Sequence, residues 1–295
     1  MKRLFTVISV LSLGLGLAAC SNQNDSPFET ALGSLGGVQD EERFAITFHD
    51  VAGIRETVGY EGDGTEKSEP GNTDPSVAWG LAATRQAVPM SLNRPNLPPV
   101  LNGPTMAWSL DYFGRAAIVH DTPDAKTAED ALTEAGWSAD GDLWHTDEHP
   151  GWQKFGMRIT DTDIQVLPKD GSITVEPDAE RSALDDSRVQ ALLKCLDNPH
   201  MMVLVSTPNR DFTTALAVKV DSDGTAEAWS CIHAPGQAEE LAATIKPNSP
   251  DVQAATPEVD GDVIRTELEV SSDSRAAPPE AMMIARAPEM PFPGF

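Results

Sequence analysis

The stretch from Phe212 to Ile232 constrains the fold of this chain most. Phe212, Thr214, Leu216, Val218 and Val220 alternate with polar or small residues, Asp221-Ser222-Asp223-Gly224 supplies a turn, and 225–232 returns in extended form. Alternation of period two around a glycine-bearing turn predicts a β-hairpin. Strands joined by such short turns build antiparallel sheets rather than a doubly wound parallel one. Met201 to Val205 reads as a strand buried on both sides, and Ile264, Thr266, Leu268 and Val270 alternate against Arg265, Glu267 and Glu269 as a half-exposed strand. Helical stripes accompany them: Val189, Leu192, Leu193 and Leu196 within 186–196, and Ala238, Leu241, Ala242 and Ile245 before Pro247.

The first half uses the same vocabulary. Phe44, Ile46 and Phe48 alternate as a strand, and Asp50 caps a helix bearing Val51, Ile54 and Val58 that Gly59 stops. A helix over 76–88 ends at Pro89, and prolines at 89, 95, 98, 99 and 104 make 89–105 an irregular excursion. A strand at 115–119, a helix from Pro123 to Ala135 capped by Thr122, and strands after Asp140-Gly141, near 154–159 and at 163–167 follow. This strand-helix-strand-strand cadence recurs around 225–285, where Ala281 to Ala285 supplies a last strand. The expected class is α+β: antiparallel sheets with helices packed on one face, in two similar lobes at 44–175 and 176–287. Residues 20–43, polar, acidic and glycine-bearing, read as a flexible tether, and 288–295 as a Pro-rich tail outside the core.

Charge narrows the partners. The 295 residues hold 21 Lys plus Arg against 46 Asp plus Glu, a net charge of −25, which excludes a sequence-independent nucleic-acid binder. The same charge opposes adhesion to an anionic membrane. Yet Lys2 and Arg3 precede an apolar run from Leu4 to Leu15, the pattern of a secretory signal, too short for the roughly 20 residues of a spanning helix. The run closes in Leu17-Ala18-Ala19-Cys20, which resembles the lipobox of bacterial lipoproteins. That resemblance implies a signal peptide at 1–19, lipidation of Cys20 as the first mature residue, and a place on the outer face of the cytoplasmic membrane. Two acyl chains suffice for stable anchoring without basic residues. Through the lipobox, the richness in Ala and Asp, and the FAITFHDVAGIRE opening at 44–56, the whole chain also resembles lipoproteins of high-GC Gram-positive bacteria. This likeness implies no activity.

Cys195 and Cys231 form an even pair in an exported chain, so a disulfide is the default reading, with free thiols or a reactive pair as the alternative. His145-Thr146-Asp147-Glu148-His149 matches the H-x-x-E-H pattern of inverzincin metalloproteases, making His145, Glu148 and His149 candidate metal ligands. That chemistry needs a helix to bring both imidazoles to one face, whereas Pro150-Gly151 follows at once and the flanks read as a turn. Asp221, Asp223 and Glu227, like Asp161 and Asp163, read as turn and loop carboxylates. The sequence holds no G-x-S-x-G elbow, S-x-x-K or Gly-rich phosphate loop, and no cofactor is expected. Trp137, Trp144 and Trp152 cluster around the histidine motif as a candidate ligand-binding face, core filling being their plainer role.

The leading expectation is therefore a non-enzymatic binding or scaffolding lipoprotein of the cell envelope. Its partners would be the membrane, through the anchor, and another envelope protein or a small ligand. A solute-binding receptor for a membrane transporter comes second, and a metal-dependent hydrolase third.

Overall fold

The computed structural model describes residues 26–38, 43–62, 74–86, 106–112, 115–121, 124–147, 152–177, 179–206, 211–245 and 252–270. The signal expected at 1–19, Cys20, the excursion expected at 89–105, Glu148, His149, the strand expected at 281–285 and the tail expected at 288–295 lie outside the described residues.

In chain order the elements are α1 (Pro27–Ser34), β1 (Leu35–Gly36), β2 (Phe44–Asp50), α2 (Val51–Val58), α3 (Pro75–Gln86), β3 (Trp108–Tyr112) and β4 (Ala116–His120). There follow α4 (Ala125–Glu134), β5 (Ser138–Asp140), β6 (Leu143–His145), β7 (Phe155–Ile159), β8 (Asp163–Pro168), β9 (Thr174–Val175) and α5 (Ser187–Leu196). The chain continues through β10 (Met201–Ser206), β11 (Thr213–Val220), β12 (Ala226–His233), α6 (Ala238–Ala242), β13 (Val252–Ala254), β14 (Glu258–Asp260) and β15 (Val263–Val270).

The fold is α+β, built on one open antiparallel sheet of 13 strands in the order β13-β15-β12-β11-β10-β2-β3-β4-β8-β7-β6-β5, with β14 also pairing β15. The hairpin expected from alternation is β11–β12, with Leu216 opposite Ser230. Residues 44–175 and 176–287 each supply a contiguous half of this sheet, and the halves join through β2 and β10, where Ile46 faces Leu204. They share their cores as well as their sheet. One apolar layer unites Ile46, Leu110 and Ile118 with Leu204, Ala217 and Trp229, and the other unites Ala117, Val119 and Ile164 with Met201, Leu216 and Val218. The two stretches are thus halves of one packed unit rather than lobes with separate cores.

Helices cover both faces of the sheet, where the sequence reading expected one. α1 and α5 pack on the first layer, and α2, α3 and α4 on the second. Central strands cause this: β4 sends Ala116 and Ile118 to one side and Ala117 and Val119 to the other, so each side needs a cover.

The reading of 20–43 as a tether is corrected over 26–38. Ser26 Oγ accepts the Glu29 N–H at 3.2 Å while the Glu29 carboxylate accepts the Ser26 N–H at 3.3 Å, a capping box with Pro27 in the first helical turn. Phe28, Ala31, Leu32, Leu35 and Val38 are buried. Strand β1 pairs with β9, and the Ser34 carbonyl accepts the Glu176 N–H at 2.9 Å. The polar and glycine-rich average of this stretch conceals an apolar stripe of helical spacing at 28, 31, 32 and 35.

Other local expectations are met or adjusted. Asp50 caps α2 by accepting the Gly53 N–H at 2.8 Å, and Gly59 ends it at φ 66°. Helix α4 is capped by Asp124, which accepts the Thr127 N–H at 3.0 Å, two residues beyond the expected Thr122.

Candidate functional site

Helix α5 repeats Val189, Leu192, Cys195 and Leu196 on its buried face, and β12 alternates Trp229 and Cys231 toward it. The juxtaposition lets Cys195 and Cys231 form a disulfide, their Cα atoms 6.0 Å apart. Two side chains meet the same point. Trp229 Nε1 donates to the Cys195 carbonyl at 2.9 Å, and Arg265 Nη1 donates to it at 3.1 Å, with the guanidinium 4.7 Å from the indole centroid. Arg265 stands opposite Cys231 in the β12–β15 register. Carbonyls in the last turn of a helix lack intrahelical partners and carry the negative end of its dipole, so a cation and an N–H donor there satisfy both needs. At the other end of α5, Arg188 grips Asp186 through Nε and Nη2 at 2.9 and 2.7 Å and donates from Nη1 to Ser206 on β10 at 3.1 Å. Such a fork is the stronger kind of charge-assisted pair.

Beyond α5 the backbone turns sharply, with Asp197 at φ 47° and Asn198 at φ 53°. Asp and Asn are the non-glycine residues that best tolerate this left-handed region. The turn brings Asn198 beside the start of α1, where Ser26, Phe28, Glu29, Leu193 and Asn198 line a shallow open depression. Ser26 is the sixth residue after Cys20, so this face lies at the root of the expected anchor.

The histidine motif is not helical where it is described. His145 closes β6 and lies opposite Ser138 of β5, its Nε2 3.5 Å from the serine hydroxyl, while Glu148 and His149 lie outside the described residues. Among the described residues no three His, Cys, Asp or Glu side chains gather as a metal site. Trp137 and Trp152 are buried and meet edge to face with centroids 4.9 Å apart, in the same apolar layer as Leu132 and Met157. The expectation of a tryptophan-lined ligand face is corrected for these two rings, because their area is spent on the core. Trp144 is half-buried and packs against the same layer.

Sequence reasoning missed a polar row across three strands. The registers β3–β4 and β4–β8 align Trp108, His120 and Asp163. His120 Nδ1 lies 2.7 Å from Asp163 Oδ1, and the imidazole stacks on Trp108 at 4.9 Å and 17°. The hydrogen bond to Asp163 raises the His120 pKa above the ordinary histidine value, burial opposes it, and the Asp163 and Asp121 charges reinforce it. His200 goes the other way: burial lowers its pKa, against the attraction of Asp50. Its Nδ1 accepts the Val220 N–H at 3.0 Å, which fixes a neutral ring with the proton on Nε2. Burial likewise raises the Asp50 carboxyl, against the Gly53 N–H that it accepts. His120 lies one residue past the strand expected at 115–119 and Asp163 begins the one expected at 163–167, but only the register shows that they are partners.

No family model matches this chain, and neither does any curated protein. Among solved structures it is similar to crystal form III of TP0453, at 9% identity and a TM-score of 0.36, over 84% of this chain and 96% of that one.

Proposed function

We propose that the chain is an exported lipoprotein, anchored by Cys20 to the outer face of the cytoplasmic membrane, that serves as a binding or scaffolding protein of the cell envelope. The observation that carries this reading is Leu17-Ala18-Ala19-Cys20 at the end of an apolar run led by Lys2 and Arg3. The Cys195–Cys231 disulfide supports export, since such bonds persist in oxidising compartments. Anchoring by two acyl chains suits a chain of net charge −25, which gains nothing from anionic lipid. The anchored body presents the outer surface of the α2–α4 layer to another envelope protein or a small ligand. A solute-receptor reading loses its tryptophan-lined cleft, because Trp137 and Trp152 are core residues.

The test is fractionation of cells producing the wild-type chain and Cys20→Ala. The wild type sediments with membranes, while Cys20→Ala, which keeps the folded region intact, does not. A Cys20→Ala chain that stays with membranes to the wild-type extent contradicts the proposal.

A further inference from the structure

Resting on the lipid anchor at Cys20, we infer that the face formed by the start of α1 and the end of α5 lies against the membrane, and that the partner it meets is the lipid headgroup layer. Five residues, 21–25, separate Cys20 from Ser26. That link can span at most about 20 Å. Ser26 belongs to the folded region, because the capping box fixes the first turn, Phe28 and Leu32 are buried, and β1 is paired to β9. A folded chain of this size is roughly 50 Å across. A link under half that width cannot carry around the body far enough to bring the opposite helical layer, α2 to α4, to the bilayer. A tether running to residue 43 would have left orientation open, with a reach of about 80 Å when extended.

The chemistry of the face fits contact at headgroup depth without insertion. Glu29 and Asn198 line the depression with the partly buried Leu193, the exposed Asp197 donates its N–H to the Leu193 carbonyl at 3.2 Å, and the neighbouring Lys194 pairs with Asp260 at 2.7 Å in solvent. Glu29 and Asp197 add acidic charge beside that neutral pair. Zwitterionic headgroups are accordingly the compatible surface, and anionic lipid repels the face within a Debye length of about 8 Å.

The experiment uses the full mature chain with lipidated Cys20, on phosphatidylcholine vesicles carrying a headgroup quencher. A fluorophore is placed through Lys194→Cys at the end of α5, or through Lys126→Cys on α4 of the opposite layer. Both side chains are exposed, at 88% and 79%, and each makes only a surface ion pair. The label at 194 is quenched several-fold more than the label at 126, and twenty Gly/Ser residues inserted between Asp25 and Ser26 bring the two toward equality. Equal quenching at native length, or stronger quenching at 126, overturns the orientation while leaving the anchor standing. A chain that fails to bind the vesicles, or binds them as well when carrying Cys20→Ala, overturns the anchor itself and the orientation with it.

Discussion

Trp229 and Arg265 donate to one acceptor, the carbonyl oxygen of Cys195, at 2.9 and 3.1 Å. That oxygen belongs to a residue of the disulfide itself, so a covalent link, an indole N–H and a guanidinium close the end of α5 onto β12 and β15. Arg265→Met removes the charged donor and the cation–π contact and is expected to cost about 1–2 kcal/mol. Removing the crosslink with Cys195→Ala and Cys231→Ala together costs about 2–4 kcal/mol, since the bridge closes a loop of 36 residues. Denaturant midpoints check both, and a midpoint unchanged in either protein contradicts the clasp.

Docking of α1 has its own test. Leu32 is fully buried between the helix and the sheet layer that holds Phe48 and Leu110. Leu32→Ala is expected to lower stability by about 2–5 kcal/mol, as for other buried leucines. In a flexible tether the same change would be silent, so a wild-type melting profile counts against the structured N-terminus.

The two histidines pull stability in opposite directions with pH. His120 has a raised pKa in the fold, so its contribution is complete below the ordinary histidine value and fades as pH rises through the raised one. His200 has a lowered pKa, so its contribution is complete above the ordinary value and fades as pH falls through the lowered one. Protonating His200 Nδ1 also breaks the bond from Val220. The loss of stability in His120→Gln is therefore expected to be larger at about pH 5.5 than at about pH 8, and in His200→Gln the reverse. Unfolding curves at both pH values decide it, and losses independent of pH contradict the assignment.

Tryptophans grouped together by sequence separate by burial. Trp152→Ala empties a fully buried site and is expected to cost about 3–5 kcal/mol, while Trp144→Ala, at a half-buried position on β6, costs far less. Equal losses would place Trp144 in the core with the other two.

Much of the architecture was legible because it is local. Alternation along Phe212–Ile232, the stripe of α5, and Asp50 with Gly59 around α2 each carry their own stop signals, and each element forms, with Cys195 rather than the expected Leu193 on the buried face of α5. Helix α1 was equally written, in Ser26-Pro27-Phe28-Glu29, but the polarity of its surroundings masks a stripe only eight residues long. Strand β3 follows a Pro-rich stretch, and its alternation of Trp108, Leu110 and Tyr112 against the buried Ser109 and Asp111 passes for loop composition. Cover on both faces, the shared core and the His120–Asp163 pair depend on strand order and register, which no single segment records. The proposed anchor is the converse case, read wholly from a short motif.

The central claim is tested most directly by the mass of the N-terminal peptide of the protein taken from its own membrane. The account predicts a mature chain that begins at Cys20 and carries a diacylglyceryl group on its sulfur. A chain cut elsewhere, or an unmodified Cys20, contradicts it.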